Sequence, residues 1–299
     1  MTVSPALRAE TLGARLPPLV VAADRVAATV LQGVHGRRRA GQGDAFWQFR
    51  PLLPGDPAGR VDWRQSAKSD RLFVRETEWE AAQTVALWRD ASPSMAWRSG
   101  PSVPPKRERA ELLLLATASL LLRGGERVRL VGGGPGRSHA GRAGLQRLAE
   151  ALARHGAGGT EGEAAPAPDL PEPDPDLPRH ARAVLIGDFL SPLPEIQRCV
   201  AAFAARPVRG HILQVLDPAE ETLPYLGRVR FEGLEAAEAA PALVPRVEGV
   251  RTPYAERLRA HRDGVAAIAA AAGWGFLAHR TDHPPGQALL ALWQALSPD

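Results

Sequence analysis

The fold of this chain is decided by one stretch, Thr84 to Met95, which reads TVALWRDASPSM. Its apolar run ends in Asp90, which is followed at two-residue intervals by Ser92 and Ser94. Such a run predicts a buried parallel strand, and open α/β sheets bind ligands in the crevice beyond the carboxyl ends of these strands. One carboxylate and two hydroxyls suit a hard cation such as Mg²⁺. An ordinary turn is the alternative, because Asp, Ser and Pro are common in turns.

A second carboxylate at a strand end favours the metal site over the turn. Asp188 directly follows another apolar run, in the sequence VLIGDF. In a doubly wound sheet whose strand order reverses between the first and the later strands, the carboxyl ends of these two strands lie side by side. The sequence therefore predicts that Asp188 faces Asp90, Ser92 and Ser94 at one edge of the sheet.

Strand and helix patterns alternate from this stretch to the end of the sequence. Strands are predicted at residues 85–88, 127–131, 183–186, 211–216 and 275–278, and helices at 107–123, 141–155, 194–205, 253–272 and 286–296. This alternation predicts a three-layer α/β fold, in which a mostly parallel sheet is covered by helices on both faces.

The predicted organisation has three parts. Residues 1–40 form a segment with a helix at 22–33, residues 41–82 form a small aromatic β subdomain, and residues 83–299 form the α/β domain. We expect the tryptophans of the subdomain, Trp63 among them, to be shielded from solvent. Within the large domain, residues 156–178 are rich in Gly, Pro and acidic residues and predict a flexible loop, whereas residues 217–252 predict a small β insertion.

Composition narrows the class of protein. The net charge is +4, and lysine occurs only at Lys68 and Lys106, so that nearly all positive charge is arginine spread along the chain. We therefore predict no nucleic-acid binding, since no basic patch stands out. Cys199 is the sole cysteine, which excludes an intrachain disulfide. The longest apolar run, Leu112 to Leu122, is well short of the roughly 20 residues that span a bilayer, and we expect a cytoplasmic protein without a membrane span.

Two further motifs are interpreted as structural. Between Gly55 and Arg64 the sequence carries Asp56, Arg60, Asp62 and Arg64, and paired Asp and Arg residues beside tryptophan typically lock loops by bidentate hydrogen bonds. The glycine-rich stretch at residues 131–136 follows a strand but lacks the spacing of a phosphate-binding loop. It predicts a hairpin turn.

Several stretches resemble the prokaryotic domain-of-unknown-function family DUF58, whose members are similar to von Willebrand factor type A domains with an added β region. The resemblance runs from about Gly41 to the end of the sequence, and its most specific part lies between Pro54 and Trp63. The matching stretches are Gly41 to Phe46, Phe49 to Pro51, Pro54 to Lys68, Glu76 to Glu80, Asp90 to Met95, Gly187 to Phe189 and Asp217 to Glu221.

The resemblance implies a metal-ion-dependent adhesion site that lacks one ligand. Asp90, Ser92 and Ser94 correspond to its DxSxS part, and Asp188 corresponds to its later aspartate. A full site also takes a threonine from the loop before the second core helix. Residues 137–144 contain no threonine, and Ser138 is the candidate replacement. We therefore expect Mg²⁺ to bind weakly or not at all.

The resemblance also implies a non-enzymatic interaction module. Its partner would be a MoxR-type AAA+ ATPase, with which it would act in chaperone-like maturation or remodelling of client proteins. Two alternatives stay open. One is a metal-dependent hydrolase that uses the same strand-end carboxylates, and the other is a purely structural edge, with recognition on the aromatic β subdomain.

Overall fold

The chain divides into two compact units, of which the larger combines residues from both sides of the smaller. The computed structural model describes residues 20–30, 40–53, 56, 59, 61–78, 83–132, 138–156, 170–234 and 241–296. The large unit comprises Met1–Leu31 and Thr84–Asp299, and the small unit comprises Gln32–Gln83.

The helices and strands alternate along most of the chain. In chain order they are α1 (20–30), β1 (Ala40–Pro51), α2 (Trp63–Ser66), β2 (Phe73–Glu78), β3 (Thr84–Arg89), α3 (Lys106–Arg123), β4 (Arg127–Leu130), β5 (Ser138–His139), α4 (Arg142–Gly156), β6 (Arg182–Gly187), α5 (Leu193–Ala204), β7 (Arg209–Leu216), α6 (Pro218–Thr222), β8 (Val229–Phe231), β9 (Ala242–Val244), α7 (Arg251–Ala271), β10 (Gly275–Arg280) and α8 (Pro285–Leu296).

The large unit is built on a six-stranded sheet with the order β10-β7-β6-β3-β4-β5. Its strands are parallel except β5, which pairs antiparallel with β4 and so forms the predicted hairpin. Counted along the chain, the strand order is 6-5-4-1-2-3, which is the doubly wound order with its reversal between β3 and β6. The predicted three-layer α/β fold with a mostly parallel sheet is therefore confirmed.

Helices cover both faces of this sheet. Helix α3 packs against α4 and α8, and α5 packs against α7. The central strands β3 and β6 are buried on both faces, which explains why they read as continuous apolar runs rather than as alternating ones. Helix α3 is buried from Leu113 to Leu122 and reads as apolar all round for the same reason.

The prediction of a flexible loop over residues 156–178 was wrong for its last part. Residues 157–169 lie outside the described structure, but Leu177 is buried in the main core and Asp174 is buried against β4. The Asp174 carboxylate accepts two hydrogen bonds from the Arg129 guanidinium, at 2.9 and 2.5 Å. Composition pointed to a loop, yet one apolar side chain and one buried ion pair hold this segment against the sheet.

The same segment encloses the sole cysteine. Cys199 is buried in α5 and its thiol donates to the Pro171 carbonyl at 3.2 Å. Burial raises the pKa of the Cys199 thiol to about 12. The thiolate that a nucleophile requires is therefore strongly disfavoured here.

The small unit pairs β1 and β2 as an antiparallel ladder. Asp62 caps the short helix α2 by accepting from the Gln65 amide at 2.9 Å. The predicted structural lock is present around Asp56, but its partner is Arg50, whose guanidinium donates to both carboxylate oxygens at 2.6 and 2.8 Å.

The expectation of shielded tryptophans was wrong for Trp63, which is 68% exposed. Trp63 is the first residue of α2, and it is Ser66, at the end of that helix, which is buried instead. The side chains of Trp47 and Trp79 lie outside the described part of the chain.

Helix α1 belongs to the large unit and begins slightly before the predicted position. Ala23, Ala27 and Val30 are buried and recur at helical spacing on one face. Asp24 accepts hydrogen bonds from Ser119 Oγ, at 2.6 Å, and from the Arg123 guanidinium, at 2.8 Å. These two contacts attach α1 to α3.

Candidate functional site

The predicted site lies at the carboxyl edge of the sheet, where the loops after β3 and β6 meet. The Asp90 amide still donates to the Ile186 carbonyl of β6 at 2.9 Å, so the two loops leave the sheet together. Gly187 allows this approach. A Cβ atom at that position would come within 2.8 Å of the Asp90 Cβ, a distance that side-chain carbons do not tolerate.

The structure brings all four predicted residues together. Asp90 Oδ1 accepts from the Ser92 amide at 2.8 Å, and the hydroxyls of Ser92 and Ser94 are 3.1 Å apart. Ser94 Oγ then donates to Asp188 Oδ2 at 2.6 Å. Asp90, Ser92 and Asp188 are buried and Ser94 is half-buried. The prediction that Asp188 faces the loop after β3 is correct.

Sequence reasoning missed the cation of this cluster, which is Lys106. Lys106 is the first residue of α3 and its side chain is fully buried. Its ammonium Nζ lies 2.9 Å from Asp188 Oδ2 and 2.5 Å from Glu220 Oε1. One signal was available in the sequence, because the chain uses arginine for nearly every other positive charge.

Glu220 is fixed by the helix that follows β7. Asp217 caps α6 and accepts from the Ala219 amide at 2.8 Å, while Glu220 Oε2 accepts from the Asp217 amide at 2.8 Å, which completes a capping box. The second carboxylate oxygen of Asp217 accepts from the Ser99 amide at 2.9 Å. One oxygen of Glu220 thus serves its own helix and the other binds Lys106.

The charges of this network influence one another strongly. Burial is the largest influence on Lys106 and lowers its pKa, but the attraction of Asp188 and Glu220 outweighs it, so that the pKa of Lys106 is raised above its ordinary value. Burial raises the pKa of Glu220 against the opposing attraction of Lys106. The ammonium therefore carries its charge throughout the physiological range.

The residues as arranged do not fit the magnesium ion that the resemblance implies. Asp188 Oδ2 already accepts from Ser94 Oγ and from Lys106 Nζ. Ser138, the candidate for the missing threonine, is exposed on the edge strand β5, two strand spacings or about 10 Å from β3.

The loop after β6 is also fixed by one contact from β7 and one from α7. Gln214 Nε2 donates to the Asp188 carbonyl at 2.8 Å, and His261 Nε2 lies 2.7 Å from the Phe189 carbonyl. Because a carbonyl only accepts, His261 carries a proton on that nitrogen. The side chain of Phe189 is buried, and its backbone adopts the left-handed conformation with φ of 49°. The side chain of the next residue, Leu190, is 42% exposed.

The fold and the site define a class of protein, namely doubly wound α/β domains with a polar cluster at the carboxyl edge of the sheet. Within this class the chain belongs to the family described as "Protein of unknown function DUF58", whose profile matches residues 48–264. In the described part of the chain, none of the helices has the length and apolar character needed to cross a membrane.

Several known proteins are similar to this chain. The uncharacterized protein Rv1480 of Mycobacterium tuberculosis is 28% identical over 261 residues, which cover 85% of this chain and 80% of the relative. An aerotolerance-related membrane protein from Bacteroides fragilis has a TM-score of 0.43 at 15% identity, over 72% of this chain and 98% of that protein. The conserved hypothetical protein BatB from Bacteroides thetaiotaomicron has a TM-score of 0.40 at 13% identity, over 72% and 97%.

Proposed function

We propose that the protein is a non-enzymatic interaction module, which binds a partner protein through the carboxyl edge around Asp90, Ser92, Ser94 and Asp188. The observation that carries the proposal is the way this edge is fixed. Lys106 contacts Asp188 in the loop after β6 and Glu220 in the helix after β7, while Ser94 connects the loop after β3 to Asp188. A surface held in one conformation before binding loses little entropy on association.

The rim of this edge is suited to protein contact. Pro93 and Ala96 are exposed in the loop after β3, and Leu190 is exposed in the loop after β6. These uncharged side chains lie beside a polar network, and protein interfaces typically combine apolar contacts with polar groups. Leu190 has the largest side chain of the three.

The partner we propose is a MoxR-type AAA+ ATPase, and the role is chaperone-like maturation or remodelling of client proteins. Both rest on the resemblance to DUF58 proteins set out above. An ATPase partner needs a compartment that supplies ATP, so the proposed place of action is the cytoplasm.

Hydrolysis is not part of the proposal. A metal-activated water would need carboxylates that are available to an ion, and Asp188 is instead engaged by Ser94 and Lys106. The histidine that reaches this loop, His261, directs its protonated nitrogen at a backbone carbonyl. That nitrogen does not serve as a general base.

The experiment measures binding of the purified protein to a purified MoxR-type ATPase by biolayer interferometry, with ADP and with ATP. We expect Leu190→Glu to raise Kd by roughly tenfold or more, since interface anchors commonly contribute this much. Val21→Glu is the matched control, because Val21 is 50% exposed and lies on α1, which contacts the end of α3 that is distant from the edge. It should bind like the wild type.

Two results would contradict the proposal. If the protein binds the ATPase neither with ADP nor with ATP, the proposed partner is wrong. If Trp63→Ala loses binding while Leu190→Glu binds like the wild type, recognition lies on the small unit, where Trp63 is exposed.

A further inference from the structure

Lys106 is an amine enclosed by the protein. Its side chain has no exposed surface, and the two carboxylates that it binds lie 82 and 114 positions away in the sequence. A buried ammonium is stable only where it is paired and hydrogen-bonded. The start of α3 is therefore tied to two separate strand ends by one charged group.

This ammonium contacts one of the carboxylates that the resemblance assigns to a divalent ion. Asp188 Oδ2 contacts both Lys106 Nζ, at 2.9 Å, and Ser94 Oγ, at 2.6 Å, and Ser94 Oγ in turn contacts Ser92 Oγ. These are hydrogen-bond distances. Magnesium would draw its ligands in to about 2.1 Å and in octahedral directions. The oxygen cluster is thus arranged around N–H and O–H donors.

The ammonium and a divalent ion would exclude each other. An ion on Asp188 would lie within a few ångströms of Lys106 Nζ, and like charges at such a distance repel strongly where little water screens them. Lys106 is held in place by Glu220 as well as by Asp188, and Glu220 is itself fixed in the capping box of α6. Two carboxylates from different elements therefore hold the ammonium beside Asp188.

Lysine is suited to this position in a way that arginine is not. The ammonium is a compact point charge with three donors, whereas the guanidinium is a planar fork that needs more room and a fixed orientation. The chain carries 37 basic residues, of which only Lys68 and Lys106 are lysines. Lys68 is exposed.

We infer that the Lys106 ammonium is the resident cation of this edge, taking the place of the divalent ion, so that the edge keeps its structure without any metal. The inference does not depend on which partner binds there. It predicts that the wild-type protein has no metal site on Asp188, and that removal of the amine creates one.

The test uses the full chain as wild type and as the variants Lys106→Ala, Lys68→Ala and Asp188→Asn, together with the double variant Lys106→Ala/Asp188→Asn. Mn²⁺ binding is measured from the EPR signal of free Mn²⁺ in a titration to millimolar concentration. Thermal unfolding is recorded with MgCl₂, with MnCl₂ and with EDTA. Lys68→Ala is the matched control, because it removes the other lysine from an exposed position.

We expect the wild type and Lys68→Ala to bind no Mn²⁺ and to unfold at the same temperature in all three solutions. Lys106→Ala should unfold roughly 5 °C lower or more in EDTA, because the buried Asp188 and the partly buried Glu220 lose their partner. It should then take up one Mn²⁺ per chain and recover several degrees. The double variant should neither bind Mn²⁺ nor regain stability when Mn²⁺ is added.

The inference is overturned if the wild type binds Mn²⁺ at a site that Asp188→Asn abolishes. A folded Lys106→Ala protein that takes up no Mn²⁺, or that is as stable in EDTA as the wild type, would also overturn it. If Lys106→Ala does not fold, the wild-type titration decides alone, since absence of a site that depends on Asp188 supports the inference.

Discussion

Ser94 and Asp188 are 94 positions apart in the chain, yet Ser94 Oγ donates a hydrogen bond of 2.6 Å to Asp188 Oδ2. The bond connects the loops after β3 and β6, which are neighbours because the strand order of the sheet reverses between them. This is the position at which doubly wound sheets bind their ligands. The bond therefore holds the two loops of the proposed binding edge next to each other.

The first prediction concerns the glycine that lets these loops approach. In Gly187→Ala the new Cβ would come within 2.8 Å of the Asp90 Cβ and 3.3 Å of the Trp88 ring. We expect the free energy of unfolding to fall by about 1–3 kcal/mol, because both neighbours are buried and must shift. Urea unfolding followed by circular dichroism measures this. Gly100→Ala is the control, since a Cβ there meets no atom within 4 Å; equal stability of the two variants would contradict the prediction.

The second prediction concerns the ion pair that holds residues 170–178 on the sheet. Asp174→Ala would leave the buried Arg129 guanidinium without its main partner, and we expect a loss of roughly 3–5 kcal/mol. Asp176 is 3.7 Å from the same guanidinium, but its side chain is 74% exposed. Asp176→Ala should therefore cost less than about 1 kcal/mol. If chemical unfolding shows similar small losses for both variants, this segment does not depend on the pair.

The third prediction contrasts two neighbours in the small unit. Trp63 is 68% exposed, so Trp63→Ala should change the stability of the protein by no more than about 0.5 kcal/mol. Ser66 Oγ accepts from the Phe73 amide at 2.9 Å and donates to the Asp62 carbonyl at 2.8 Å. Ser66→Ala leaves the Phe73 amide without this acceptor and should cost about 1–2 kcal/mol. Thermal unfolding of both variants measures these effects. A larger loss of stability in Trp63→Ala than in Ser66→Ala would contradict the prediction.

The fourth prediction is a pH dependence that originates at the end of β10. Burial, with smaller contributions from Arg109 and His283, lowers the pKa of His279 from 6.5 to about 4. Arg109 directs its guanidinium at His279 Nε2, 3.4 Å away, which favours the neutral ring. As the pH falls, the unfolded chain therefore binds the proton first. The stability contributed by His279 is complete above about pH 6.5 and is lost between there and about pH 4.

The corresponding measurement is the free energy of unfolding at about pH 7 and about pH 4.5. We expect His279 to account for roughly 2–3 kcal/mol of the loss in the wild type. His279→Gln should show a correspondingly smaller loss. His283→Gln should keep most of the loss of the wild type, because His283 makes only a smaller contribution to the lowered pKa of His279. A loss that is the same in His279→Gln as in the wild type would assign the pH dependence to other groups.

The sheet and its edge were predictable because their signals are local. Strands β3 and β6 are buried on both faces, so their sequences are continuous apolar runs, and the strand-order rule then places Asp90 beside Asp188. Sequence periodicity does not reveal which distant charge enters such an edge. Lys106 opens a long helix, a position where a basic residue normally faces water, and only its contacts with Asp188 and Glu220 show otherwise.

The two wrong predictions, a flexible loop and a shielded Trp63, share one cause. The composition of a segment does not show which distant residues the segment contacts. Residues 170–178 are rich in proline and acid, yet Leu177 reaches the core and Asp174 pairs with Arg129. Trp63 belongs to an aromatic stretch, yet its place at the start of α2 leaves it exposed. In both cases the outcome depends on tertiary contacts that no window of sequence contains.

The attachment of α1 to α3 has a consequence for how the protein assembles. Asp24 and Ser119 are 95 positions apart, and the whole small unit lies between them in the chain. Helix α1 leaves the ribosome early, but Ser119 and Arg123 emerge only after the small unit and β3 have been made. Contacts of such high sequence separation are closed slowly. The buried face of α1 thus lacks its contacts with α3 until these residues have been made, and we expect this helix to be prone to aggregation during that interval.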